Sequence, residues 1–149
     1  MKKIIFGTLN MNGGGASHNR QVQVKSLFDR KHLDVLLLQE THITEDVEYD
    51  WCRLFKGQCF FSNLSYSSAG VAFLFRPGLV PESCHFQEVI KGRFISLELV
   101  INHFHFTRFN VYAPSESVER RAFFLSLIRH LRSIDLNDCI CMGVILIVP

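Results

Sequence analysis

The sequence predicts an α/β sandwich, part of which is supplied by these 149 residues. Three features point there. Two short apolar runs, residues 4–9 and 33–38, flank a stretch with helical spacing; strand, helix, strand in that order favours a parallel, buried pair joined by a right-handed crossover. Residues 86–90, 93–101 and 104–112 then run apolar or alternate between tight breaks at Lys91-Gly92 and Asn102-His103, the pattern of an antiparallel meander. An amphipathic helix and a last apolar run close the order.

Each element has a local reason. Residues 4–9 end in Asn10-Met11-Asn12-Gly13-Gly14-Gly15, a loop signal after a buried strand. Ser17 is placed to cap a helix running to about Lys31, with Val24, Leu27 and Phe28 on one face. The second strand, 33–38, ends at Gln39-Glu40-Thr41. Residues 46–55 read as a short helix carrying Trp51. Residues 59–62 and 70–76 read as strands split by a serine-rich turn at 63–68, and Pro77-Gly78 as a turn. Beyond the meander, Ser115 or Ser117 caps a helix to about Ser133 with Val118, Ala122, Leu125 and Leu131 inward; residues 138–148 form the final strand. There is no internal repeat, linker or low-complexity segment, and residues 1–149 are expected to be a single incomplete domain.

Composition sets bounds. The chain is 48% hydrophobic with 14 Phe, enough for a sizeable core, and its net charge of +2 carries no strongly basic stripe. Any contact with nucleic acid would have to come from locally placed cations such as Arg76, Lys91, Arg93 and Arg108. The 5 Cys are odd in number and none is spaced CxxC, which argues against a zinc site or a disulfide framework and fits a reducing compartment. The apolar run after Lys2-Lys3 is too short for a signal peptide, and no run is long enough to span a bilayer, so a nuclear or cytoplasmic location is expected.

Chemistry is expected where strands end. Asn10 and Asn12 close the first strand and Glu40 closes the second; in an open α/β sheet such ends share the ligand-binding edge. A carboxylate beside amide oxygens is a hard-oxygen set suited to Mg²⁺, which takes substrate phosphate and water as its other ligands. The plainer alternative is that the asparagines shape a turn and Glu40 is a solvated loop acid. His103 and His105 are read on one strand face at a spacing that can bind metal, but with no third ligand nearby they read better as meander surface.

The motifs combine into a resemblance. Leu9-Asn10-Met11-Asn12-Gly13, Leu38-Gln39-Glu40-Thr41-His42, Ala69-Gly70-Val71-Ala72, Lys91-Gly92-Arg93-Phe94 and Asn110-Val111-Tyr112-Ala113-Pro114 resemble, in order, motifs of the exonuclease–endonuclease–phosphatase family. The Gln-Glu-Thr-His and Tyr-Ala-Pro wording is most similar to LINE-type retrotransposon endonucleases, relatives of apurinic endonucleases and exodeoxyribonuclease III. The resemblance implies a partial four-layer α/β sandwich, its N-terminal two-thirds, and phosphodiester hydrolysis on DNA with Mg²⁺ or Mn²⁺. It implies Glu40 as metal ligand, Asn10 as an aid to metal or phosphate, and Tyr112 against the scissile phosphate. Asn12 stands where apurinic endonucleases carry Asp. His42 is a cleft-side or substrate contact, because the family's catalytic His comes from near the C-terminus. Arg93 braces its turn.

The pattern then departs. After Met142-Gly143 the family continues Asp-Phe-Asn, whereas this sequence continues Val144-Ile145-Leu146 and also lacks the terminal Ser-Asp-His. The expectation is impaired catalysis, with a non-catalytic retrotransposon-derived fragment that binds metal or nucleic acid weakly as the alternative. The absent third is expected to hold the second sheet, which would leave one apolar sheet face wet and prone to self-association.

Overall fold

The computed structural model describes residues 3–135 and the backbone of residues 139–144. β1 (Phe6–Asn10) and β2 (Val35–Gln39) pair in parallel across α1 (His18–Arg30), as the two apolar runs demand. Ser17 caps α1 in extended conformation, accepting from the Arg20 N–H. α2 (Glu45–Phe55) places Glu45, Asp46 and Glu48 in its first turn, at the positive end of the helix dipole, and stops at Lys56 in left-handed conformation. β3 (Cys59–Ser62) and β4 (Val71–Phe75) complete a sheet ordered β1-β2-β4-β3, in which β4 runs antiparallel to both neighbours. β5 (Ser83–Ile90), β6 (Phe94–Ile101) and β7 (Phe104–Tyr112) form the expected meander. β8 (Cys139–Val144) joins β7 in parallel after α3 (Ser117–Arg132), giving a second sheet ordered β5-β6-β7-β8.

The layers follow from strand alternation. Leu36, Leu38, Ala72 and Leu74 face α1 and α2, where Val24, Phe28, Trp51 and Phe55 are buried against them. Val35, Leu37, Val71, Phe73 and Phe75 point the other way, onto Ile95, Leu97, Leu99 and Ile101 of β6. Phe94, Phe109 and Val111 turn outward from the second sheet and are covered by Phe123 and Leu127 of α3. The order is helices, sheet, sheet, helix. β2 and β4 are buried at every residue, which is why they read as unbroken apolar runs.

Several expectations are corrected. The second sheet is already present, because the meander strands are long enough to carry an inward apolar row and β8 pairs beside β7. The inner face of the first sheet is therefore dry, and self-association through a wet sheet face loses its basis. α3 buries Phe123 and Leu127, while Val118 and Leu125 are 81% and 56% exposed and Ala122 is exposed; of the four residues expected inward only Leu131 packs on the core. The helix is apolar on most sides, so its periodicity does not select a face. Neither Ser115 nor Ser117 caps it: Glu116 holds the N-cap position and the Ser115 carbonyl accepts from Arg120 Nη2 at 2.6 Å. β5 starts at Ser83 rather than at residue 86. His103 lies in the β6–β7 turn with φ 65°, its Nδ1 3.0 Å from Glu82 Oε2, so it shares no strand face with His105. The expected strand residues 138 and 145–148 lie outside the described residues.

Two buried amides bridge the sheets. Gln39 Nε2, at the end of β2, donates to Asn110 Oδ1 on β7 at 2.7 Å. Asn110 Nδ2 donates to the carbonyls of Leu38 and Ala72, both at 2.9 Å. Gln39 also exchanges hydrogen bonds with the Thr8 hydroxyl on β1. Both amides are 0% exposed, so each unmade bond would leave a dry polar group. Asn110→Leu, which fills the space but strips three partners, is expected to cost about 2–4 kcal/mol of stability. Urea unfolding checks this; a midpoint within error of wild type would remove the amide bridge as a stabilising element.

Candidate active site

The β1, β2 and β7 C-terminal ends meet at one edge, tied by loop backbone. Asn10 is paired in register with Gln39. Beyond it the N–H groups of Met11, Gly13 and Gly15 donate to the carbonyls of Gln39, Glu40 and Thr41 at 2.8, 2.8 and 2.9 Å. Trp51 Nε1 and Gln21 Nε2 both donate to the Gly15 carbonyl, fastening this loop to α2 and α1. Thr41 N–H donates to Gly70 O at 3.1 Å, Gly70 N–H to Gly92 O at 2.9 Å, and Tyr112 N–H to Arg93 O at 2.7 Å. Hydrogen bonds therefore connect four loops and the end of β7 into a continuous rim.

Glu40 is re-aimed by its backbone. In a regular strand it would follow Leu36 and Leu38 toward the helices; its φ of 51° breaks the alternation. Its carboxylate lies close enough to the Tyr112 phenol of the other sheet to act on its titration. Burial lifts the Tyr112 phenol above the usual tyrosine value of 10.0, the Glu40 charge and hydrogen bond lift it further, and the Arg93 guanidinium partly offsets them. That guanidinium stands 5.6 Å from the Tyr112 ring centroid. Arg93 thus reaches the site as well as bracing its turn, where its N–H donates to Ile90 O.

His42 and the end of β1 supply the other candidates. His42 Nε2 is 4.0 Å from Glu40 Oε1, with both side chains about four-fifths buried. The imidazole lies flush on Gly13, where a Cβ would come within 2.6 Å of Nδ1. Asn10 Oδ1 accepts the Asn12 N–H at 2.8 Å, closing a turn and leaving a second lone pair on the amide oxygen. Asn12 is exposed, in left-handed conformation, on a surface cleft that also holds Arg20. Two of the expected DNA-contacting cations lie elsewhere. Arg76 leaves β4 at the opposite end of the sheet and pairs with Asp34. Arg108 is 5% exposed, its guanidinium 4.5 and 5.1 Å from the Phe6 and Phe106 ring centroids.

The oxygens of Glu40 and Asn10 suit a hard divalent cation that keeps water and phosphate among its ligands. Among the described residues no group of three or more His, Cys, Asp or Glu converges, so the pattern of a zinc site is not present there. Among them, too, no helix is long and apolar enough to cross a membrane. The buried Gln39–Asn110 pair escaped the sequence reading; the only signal was an asparagine in the inward row Phe106, Arg108, Asn110, Tyr112 of β7.

Residues 7–143 match the Endonuclease/Exonuclease/phosphatase family. The chain belongs to this family. It is 36% identical over 138 residues to the transposon TX1 uncharacterized 149 kDa protein of Xenopus laevis, a match covering 93% of this chain and 10% of that protein. Among solved structures it is similar to an AP endonuclease from Archaeoglobus fulgidus, with a TM-score of 0.71, 20% identity and 95% of this chain against 56% of that one. It is also similar to the 3' phosphatase NExo from Neisseria bound to product DNA hairpin, with a TM-score of 0.69, 22% identity and 91% of this chain against 55% of that one. The family's four-layer α/β sandwich is thus present in part, and the chain spans about half the length of these solved relatives rather than two-thirds.

The Tyr112 environment fixes a pH response. A raised folded-state value favours the fold fully below pH 10.0, the unshifted value, and that contribution is lost as pH rises through the folded value. The tyrosinate absorbance difference between wild type and Tyr112→Phe is expected to have its midpoint above 10.0, and Glu40→Gln should lower it while leaving the effect of burial. A midpoint unmoved by Glu40→Gln would separate the two side chains.

Proposed function

We propose that the chain carries the metal- and phosphate-holding part of a Mg²⁺-dependent phosphodiesterase acting on DNA, of the LINE-type and apurinic-endonuclease kind, with Mn²⁺ able to substitute. The observation that carries this reading is the Glu40 carboxylate held against the Tyr112 phenol across two sheets, at the edge where the Asn10 strand also ends. Family membership, the AP endonuclease fold match and a relative bound to a DNA hairpin support the substrate class.

Each residue has a task that its chemistry allows. Glu40, with Asn10 from the end of the neighbouring strand, would hold the cation, which when bound polarises the phosphate and offsets its charge. Tyr112, like any tyrosine, is protonated at neutral pH, so its single O–H would turn from Glu40 to a non-bridging phosphate oxygen as charge builds there. Arg93, over the Tyr112 ring, adds positive potential at the same edge. His42, which lies between Glu40 and Gly13, would meet the substrate there, and exposed Asn12 would touch the phosphate backbone.

A specific observation favours a second reading for this chain acting alone. β8 brings Val144 into register with Tyr112, and the family wording places Asp after Gly143. Valine cannot take a proton from water. On that reading the chain binds cation and nucleic acid weakly and hydrolyses little.

Both readings meet in one experiment. Calorimetric titration of the 149-residue chain with Mn²⁺ is expected to show binding that Glu40→Gln weakens at least about tenfold. Plasmid nicking in Mg²⁺ is expected to be slow and to fall further in Tyr112→Phe. Mn²⁺ binding unchanged by Glu40→Gln would sink the assignment of this edge; efficient nicking would remove the second reading.

A further inference from the structure

The rim that holds Glu40 carries a second built feature. β4 runs antiparallel to β2 and to β3, so the loop of residues 63–70 lies at the same sheet edge as Glu40. Its stem is bonded to the residues after Glu40: Thr41 N–H donates to Gly70 O at 3.1 Å and His42 N–H to Ala69 O at 3.0 Å. Its other side is tied down as well. Ser62 Oγ accepts the Gly92 N–H at 2.6 Å, and Asn63 Nδ2 donates to Glu48 Oε1 at 2.5 Å. Gly92, with φ 69°, runs so close beneath Leu64 that a Cβ there would fall 2.7 Å from the Leu64 Cβ.

The tip is braced across itself. Ser65 and Ser68 form an antiparallel bridge, their hydroxyls 2.9 Å apart, and Ser65 Oγ also accepts the Ser67 N–H at 3.3 Å. At the apex stands Tyr66, 78% exposed, with Leu64 46% exposed below it. Folding draws almost no burial from that ring, yet the turn presenting it is anchored on both sides. An aromatic held out on a fixed turn loses little conformational freedom when a flat partner stacks on it. Lys91, exposed in the adjoining turn, supplies a cation for the backbone of the same strand. The three residue steps from Tyr66 to Ala69 span at most about 11 Å, roughly three base steps of one strand.

We propose that Tyr66, supported by Leu64, is a stacking platform for an unpaired nucleobase near the phosphate held at Glu40. The inference rests on the nuclease reading and adds a preference to it: sites whose bases are already unstacked, which present a free π-face without the cost of opening a pair.

Two labelled DNA duplexes test this, one with a single bulged 2-aminopurine and one fully paired, titrated with the 149-residue chain by fluorescence anisotropy. Tyr66→Ala is expected to weaken binding of the bulged duplex about tenfold and to abolish quenching of the bulged base. Tyr66→Phe should keep both, and neither substitution should alter affinity for the paired duplex or the melting temperature. Wild-type-like bulge binding and quenching in Tyr66→Ala, or equal losses on both duplexes, would overturn the platform alone. Failure of the wild-type chain to bind either duplex would overturn the nuclease reading and the platform with it.

Discussion

The buried Gln39–Asn110 amide pair sets the geometry on which the candidate site depends. Apolar packing between the sheets is strong but non-directional, and it would tolerate one sheet sliding over the other. Hydrogen bonds do not tolerate that slide. Gln39 binds Asn110, and Asn110 binds two carbonyls of the first sheet, so the sheets have one relative offset that leaves no dry polar group. Glu40 is one residue beyond Gln39, and Tyr112 is two beyond Asn110 on the same inward row. The contact between carboxylate and phenol inherits its placement from the amides behind it.

Backbone strain at the edge is the second ingredient. Glu40, His42 and Asn12 adopt left-handed conformations with φ of 51°, 51° and 52°. Each costs on the order of 1–2 kcal/mol for a residue with a Cβ. What sustains them is the rim of backbone hydrogen bonds running from the β1 loop through Thr41, Gly70 and Gly92. Strain of this kind collects where side chains must be aimed rather than packed. His42, its Nε2 4.0 Å from Glu40 Oε1, flanks the same carboxylate that the strain at Glu40 turns toward Tyr112.

What could be read from the sequence divides along the same physics. β2 and β4 were legible because burial on both faces leaves only apolar residues, and the meander because its breaks at Gly92 and at Asn102-His103 are sharp. α3 was misread because apolar residues surround it, so that Phe123 and Leu127 had no sequence advantage over Val118 and Leu125. The second sheet was missed because the parallel addition of β8 to β7 is a long-range pairing with no local signature. Arg108 looked like a surface cation, yet its flat guanidinium lies against two Phe rings in the inter-sheet layer. Glu40, Asn10 and Tyr112 came from strand ends and family wording; the amides that position them pair across 71 residues of sequence, which no local pattern encodes.

Fold and hydrolysis are separable in such an arrangement. β8 contributes to the second sheet through backbone pairing with β7 from Thr107 to Tyr112, and that pairing is indifferent to whether residue 144 is a carboxylic acid or a valine. A valine suits a strand at least as well as an aspartate does. On the proposed reading, losing a proton acceptor there removes a chemical step while the backbone pairing of β7 with β8 is kept. On the proposed reading, a chain of this kind keeps a cation-and-phosphate grip after it has lost the means to activate water. On that reading binding outlasts catalysis because the two draw on different elements: binding on the tips of β1, β2 and β7, which the core holds in place, and catalysis on an acid at the position of Val144 on β8.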